Sequence, residues 1–222
     1  MATIRLTASS YSTSNSSYAT VYSGKNNLYE NTSNTSYASL RGRNRNSTTA
    51  YYIFIKGFNF GSIPSNATVT SFSVKIKCYK NSYQRTGDNY RPKLASSNNI
   101  NNVIADTTLD EDITTTTGGT VYTIPTGNLT WSQLSGYGSN FSVVIPLSST
   151  SSSRPYVYVY GVEIEVNYTT SGGSSEKIFI KNNGTWTQFS KIYKKVNGSW
   201  VEQSSSTWST LFDTNTNYRK MT

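Results

Sequence analysis

Four carboxylates crowd one stretch of the chain: Asp106, Asp110, Glu111 and Asp112 in "DTTLDED". Carboxylates do two kinds of chemistry, proton transfer and the binding of hard cations. A glycosidase-type pair needs its acid and base on opposite sides of a cleft, with their proton affinities driven apart, and neighbours in one loop do not provide that. As oxygen ligands, Asp106, Asp110 and Asp112 make a Ca²⁺ candidate set. The stretch lacks the glycine-punctuated alternation of an EF-hand loop, so a solvated loop, or one facing a neighbour's basic surface, is the simpler reading. The sequence contains no His, which excludes Ser-His-Asp, Cys-His and His-based zinc chemistry together. Cys78, the one cysteine, falls in an alternating apolar stretch and reads as a buried thiol. The expectation is a non-enzymatic protein with no cofactor and no resident metal.

Binding chemistry is better supplied. The chain holds 18 Tyr, 8 Phe and 4 Trp, and only 14% of its residues are charged. Aromatic rings stack on sugar faces while Arg and Asn bind hydroxyls, so Tyr79, Tyr83 and Tyr90, with Arg85 and Arg91, form a candidate glycan-binding set. An ordinary polar loop or a protein interface is the alternative for the same residues. Tyr156, Tyr158 and Tyr160 share a parity with Val162 and Ile164 and so read as core or intersubunit packing, with Glu163 and Glu165 on the other face. The formal charge of +9 includes Arg41, Arg43 and Arg45 in "LRGRNRN" and Lys177, Lys181, Lys191, Lys194 and Lys195. Without a recognisable binding motif this implies attraction to an acidic polymer or protein face, and no specific nucleic-acid recognition.

The elements that must position these residues are strands. Aromatic and β-branched side chains suit a pleated, half-buried surface, and the abundant Ser, Asn and Gly supply turns. Ile4, Leu6 and Ala8 alternate with polar neighbours, and Phe72, Val74, Ile76 and Cys78 do so again. "TTAYYIFIKGFNF" is apolar on both parities, as a strand in the middle of a sandwich must be. Short strands are also expected in "ATVYS", "YASLRGR", "TVYTIP", around Phe141 to Ile145, and in "RPYVYVYGVEIEVNYTT", with a helical turn at Trp131 to Leu134. The opening residues lack a basic start and a continuous apolar run, and no later stretch approaches membrane-spanning length, so neither export nor membrane insertion is expected. The predicted fold is all-β: an antiparallel β-sandwich, jelly-roll-like, over 1–169, a Gly/Ser linker over 170–176, and a small β-hairpin or meander module over 177–222.

That last module repeats itself. In "KIFIKNNGTWTQFSKIYKKVNGSWVEQ", Asn183-Gly184 and Asn197-Gly198 each sit between strand-like runs, and Asn-Gly is the strongest short signal for a type I′ hairpin. With those pairs as turn residues, Lys181 faces Trp186 and Lys195 faces Trp200 across each hairpin. Phe179, Lys181, Trp186, Tyr193, Lys195 and Trp200, together with Trp208 and Phe212 further on, are the candidate docking residues. A lone hairpin is marginal in water, so the module needs something to fold against: the sandwich, a symmetry mate or another protein.

The order of "GFNFGSIPSNATVTSFSVKIK", "LTWSQLSGYGSNFSVVI" and "VYVYGVEIEVNYT" resembles a β-sandwich module of tailed-bacteriophage structural proteins and of some bacterial surface proteins, over most of 48–169. "KIYKKVNGSWVEQSSSTWSTLFDTNTNYRK" is similar to the C-terminal endings of small virion proteins of phages of low-GC Gram-positive hosts. The resemblance implies a non-enzymatic surface component of the virion, such as a decoration, fibre or tail appendage, made in the host cytoplasm. Its implied partners are other virion proteins, further copies of the chain with a trimer as one arrangement, and host cell-surface polysaccharide. "NLYENTSNTSYASLRGRNRN" has no counterpart in that family. A free carbohydrate-binding module of a wall-associated protein is the alternative reading.

Overall fold

Strict alternation produces the first strand, and its register shows what it is for. In the computed structural model, which describes residues 1–43, 48–170, 179–182, 185–188, 192–196 and 198–203, β1 spans Ala2–Thr7. It is followed by β2 (Ser10–Thr13), β3 (Ala19–Ser23), β4 (Ala38–Gly42), β5 (Tyr51–Lys56) and β6 (Ala67–Lys80). Then come β7 (Lys93–Ala95), β8 (Thr120–Ile124), helix α1 (Trp131–Gly136), β9 (Ser142–Leu147) and β10 (Tyr156–Thr170). The remaining strands are β11 (Phe179–Asn182), β12 (Thr185–Gln188), β13 (Ile192–Val196) and β14 (Ser199–Gln203). The chain divides into two compact units, Met1–Thr169 and Thr170–Thr222.

The first unit is a sandwich of two antiparallel sheets. One has the order β3-β4-β10-β6-β8, with β1 also paired to β10; the other is β2-β5-β9-β7. β10 is long enough to serve two partners in succession: β4 pairs with its first residues, Tyr156 to Val159, and β1 with Glu163 to Tyr168. Side chains from both sheets meet in one core, which includes Leu40, Val74, Ile76, Cys78 and Val157 from the larger sheet and Ile53, Ile55, Val143 and Ile145 from the smaller. Each is fully buried, and full burial of one such side chain contributes about 1.5–3 kcal/mol.

β5 occupies an interior position in its sheet, and its double-parity apolar pattern has a physical outlet. Phe54, Val144 and Ala95 form a second, smaller cluster with Tyr52 and Ile100 on the far face, so β5 and β9 are covered on both sides. Helix α1 starts with a capping box: Gln133 N–H donates to Thr130 Oγ1 at 3.3 Å while Thr130 N–H donates to Gln133 Oε1 at 2.9 Å. Leu134 is buried, and the Trp131 ring lies 5.7 Å from Phe60 and 5.8 Å from Phe72.

Two strands stand where the sequence reads as loop. β2, "SYST", is polar and only half buried, and β7 has three residues, so neither carries enough alternation to register.

In the second unit the described residues make two separate two-stranded sheets, β11-β12 and β13-β14. Lys181 pairs with Trp186 and Lys195 with Trp200, the register that central Asn-Gly turns dictate. Gly198 has φ 87°, the positive value such a turn requires. Lys195 Nζ sits 5.9 Å from the Trp200 ring centroid, and Trp200 and Val201 are both exposed.

Candidate functional site

The site begins with a slip in β10. Val157 and Val159 are core residues on one parity, yet Val162, Ile164 and Val166 are core residues on the other. The phase shifts by one residue around Tyr160 and Gly161, as at a β-bulge. Gly161 permits it: a Cβ there would run into the carbonyl of Asn31 and come within 2.7 Å of Glu30 O, because the Glu30–Asn31 backbone crosses directly over it. Val162 N–H donates to Glu30 O at 3.0 Å and locks that crossing.

The slip moves the tyrosines off the core, correcting the parity expectation. Tyr156, Tyr158 and Tyr160 lie on the outer face of the six-stranded sheet, the same face as Glu163 and Glu165. There Tyr158 stacks on Tyr79 with centroids 4.4 Å apart and planes 15° from parallel, and Tyr156 stacks on Tyr158 at 5.8 Å and 10°. Tyr37 meets Tyr158 edge-on at 5.1 Å and Tyr160 at 5.5 Å, and Tyr22 meets Tyr156 edge-on at 6.3 Å. Edge-to-face and offset-stacked pairs of this kind each contribute about 0.5–1.5 kcal/mol beyond area burial. Tyr22 and Tyr37 are exposed, whereas Tyr79 and Tyr160 are buried beneath their neighbours. Burial first, then the neighbouring Tyr37, Tyr160 and Tyr158, pushes the Tyr79 phenol up, and burial does the same for Tyr158. These hydroxyls stay protonated through the neutral range and serve as hydrogen-bonding groups.

Charged side chains flank the row at both ends. Lys77 Nζ lies 4.8 Å from the Tyr160 ring centroid and also donates to Asn34 O at 3.0 Å. Beyond the slip, Lys75 Nζ donates to Glu165 Oε1 at 2.8 Å, and Arg5 approaches both Glu165 and Glu163. The hydrogen bond from Lys75 holds the Glu165 carboxyl below its ordinary range, with Arg5 adding to it. Glu163, with its side chain 1% exposed, accepts from Thr32 N–H at 3.3 Å and Thr32 Oγ1 at 3.0 Å. At the other end Arg41 Cζ sits 4.2 Å over the Tyr22 ring.

The glycan-binding set from the sequence divides between two places. Tyr79 belongs to the tyrosine row. Arg85, Tyr90 and Arg91 lie in the β6–β7 connection, where Arg85 Cζ is 6.0 Å from the Tyr90 ring and Tyr90 Oη donates to Thr48 O at 3.0 Å. Tyr83 is exposed in the same connection. Tyr90 also lines a shallow cavity of about 460 Å³ with Tyr52, Lys93, Ile100 and Val103. Arg91 turns to the acidic loop: Nε donates to Asp112 Oδ1 at 2.8 Å, and Nη1 donates to Asp88 Oδ1 at 2.7 Å and to Asp110 O at 2.8 Å. The Arg91 hydrogen bond holds the Asp112 carboxyl below its ordinary range, helped by Gly87 N–H.

Asp112 Oδ1 therefore accepts from both Arg91 and Gly87. Asp106, Asp110 and Asp112 do not gather, and among the described residues no group of three acidic or thiol side chains is placed to share a metal ion. Cys78 is fully buried, and burial pushes its thiol up, away from the reactive thiolate. Of the docking residues, Trp208 and Phe212 lie outside the described residues, and for Phe179, Lys181, Trp186 and Tyr193 only the strand register is described.

The sequence reasoning missed Tyr22, Tyr37 and Arg41 as members of one surface. Two signals pointed to it: Tyr79 shares a parity with Lys75 and Lys77, the solvent side of β6, and a glycine inside a strand marks a bulge. No protein-family model, no curated protein and no solved structure matches this chain.

Proposed function

We propose that the protein is a non-enzymatic structural and binding component of the surface of a tailed-bacteriophage particle, with the hairpin module serving assembly and the sandwich displayed. The observation that carries this reading is the construction of the second unit: two tandem hairpins, each a sheet of only two strands, with Trp200 and Val201 exposed. Two-stranded sheets need further cover to be stable, and a partner subunit or another structural protein of the particle supplies it. The resemblance of its sequence phrases to those of phage structural proteins supports the same reading.

The test is removal of 173–222 from the chain expressed together with the other structural proteins of its particle. The expected outcome is a soluble sandwich missing from purified particles that contain the full chain. Normal incorporation of the shortened chain would sink the assembly role of the hairpins, and absence of the full chain from any particle would sink the particle reading itself.

A second reading, a free carbohydrate-binding module, is favoured by the open tyrosine row on the sandwich. It is distinguished by a cell-wall pulldown: retention of 1–172 on purified wall material, with no particle association of the full chain, would replace the first reading.

A further inference from the structure

Beside the tyrosine row, where β3 begins and β4 ends, lies a cavity of about 220 Å³ whose lining includes Arg41, Arg43 and Arg154. Ser17 and Thr20 add hydroxyls to its lining, and no acidic side chain is among the lining residues. None of the ion pairs among the described residues involves these three arginines. Two of them are held in place by stacking: Arg41 Cζ lies 4.2 Å over the Tyr22 ring and Arg43 Cζ 4.3 Å over the Tyr18 ring. A guanidinium stacked through its face by cation–π attraction keeps its charge and its in-plane N–H donors, two of which a tetrahedral oxyanion accepts at once. Three like charges around one small cavity repel one another, and an anionic guest reverses that cost.

Arg41 belongs to the cavity and to the tyrosine row at once, so a polymer seated in the cavity would continue along the row. The row discriminates among polyanions. Tyr158 stacks with both Tyr156 and Tyr79, within 15° of parallel, and Arg41 covers one face of Tyr22. Unstacked nucleobases need free aromatic faces, and the mutual stacking of these rings leaves fewer of them. Phenol hydroxyls with the neighbouring Lys77 suit a chain of hydroxylated units instead.

We propose that the cavity of Arg41, Arg43 and Arg154 is an oxyanion site that takes a phosphate of a polyol-phosphate or sugar-phosphate polymer, whose adjoining hydroxylated units lie along Tyr22, Tyr156 and Tyr158. The proposal stands whether or not the protein is part of a particle, because binding by the purified full chain is measured separately from incorporation.

The experiment is titration of the full chain with poly(glycerol phosphate), inorganic phosphate, neutral dextran and a single-stranded oligonucleotide of matched phosphate number, at low and high salt. The polymer is expected to bind at low salt and release at high salt, with inorganic phosphate a weaker competitor and dextran inactive. The oligonucleotide is expected to bind at least about tenfold more weakly than the polymer, the worth of one good polar contact. Arg154→Gln, at an exposed position that folding tolerates, and Arg43→Gln should each weaken polymer binding about tenfold. Lys56→Gln, which removes the same charge from β5 in the other sheet, should leave it unchanged. No binding of the polymer at low salt, an equal loss in Lys56→Gln, or equal affinity for the oligonucleotide would each overturn the proposal. So would inorganic phosphate binding as tightly as the polymer, because the row would then contribute nothing.

Discussion

At the scale of single residues, the sandwich handles charge by pairing it on the outer sheet face. Glu165 shows the consequence most directly. Lys75 Nζ donates to it at 2.8 Å and Arg5 Nη2 lies 3.5 Å away, and its side chain is 20% exposed, so the pair is only partly screened by solvent. The folded carboxyl therefore holds its proton more weakly than the unfolded one, whose ordinary value is 4.5. A depressed native proton affinity adds stability that is fully present above that ordinary value and disappears as pH falls through the lower, folded one. Asp112, depressed from 3.8 by its hydrogen bond to Arg91, adds to the same acid limb. Urea unfolding of the wild-type protein should thus show stability falling from about pH 5 downward. Glu165→Gln should lose about 1 kcal/mol at neutral pH and show a flatter acid limb, whereas an unchanged slope in the variant would remove Lys75–Glu165 as its source.

At the scale of elements, the decisive feature is one glycine in the longest strand. Gly161 lets the Glu30–Asn31 backbone cross β10 at contact distance, and the crossing accompanies the slip that turns Tyr156, Tyr158 and Tyr160 outward. Gly161→Ala places a methyl group against backbone carbonyls that a flexible side chain cannot vacate, and should cost about 2–3 kcal/mol. Gly136→Ala, in α1 with nothing within 4 Å of the added carbon, should instead gain about 0.5–1 kcal/mol. Chemical denaturation of both variants checks the pair; equal effects would mean that the crossing does not constrain β10. Strands with six or more alternating residues, such as β1 and β6, were legible in the sequence because period two survives along them. The hairpin registers were legible because Asn-Gly fixes the turn and the turn fixes the pairs. β2 and β7 were not, being too short or too polar. The tyrosine row was not either, for a more instructive reason: parity arguments run along one strand, and a one-residue bulge exchanges its faces without leaving a mark on hydrophobicity. The same limit hid the arginine cavity, whose members come from three separate stretches of chain.

At the scale of the whole molecule, the two units differ in how much they can bury. A domain of about 150 residues buries about 70% of the surface its unfolded chain exposes, while chains below about 40 residues usually need a disulfide, a metal or a partner. Met1–Thr169 is on the favourable side of that scaling, with one continuous core drawn from both sheets and a second cluster beneath the 95–103 segment. The strand pairs after Thr170 are on the other side, and Cys78 lies in the first unit, so no disulfide is available to staple them. Stability should therefore reside in the sandwich. A fragment of residues 1–172 is expected to unfold in a single cooperative transition with the near-ultraviolet signature of its packed tyrosines intact, and β1, which closes on the far half of β10, should be indispensable to it. Deleting residues 1–8 from that fragment removes Leu6 and Ala8 from the core and uncovers the Glu163–Tyr168 edge, so cooperativity should be lost. Calorimetry of the two fragments decides the matter: a broad, non-cooperative transition in 1–172 would show that the sandwich depends on the hairpins. A sharp transition surviving the N-terminal deletion would show that β10 holds its place without β1.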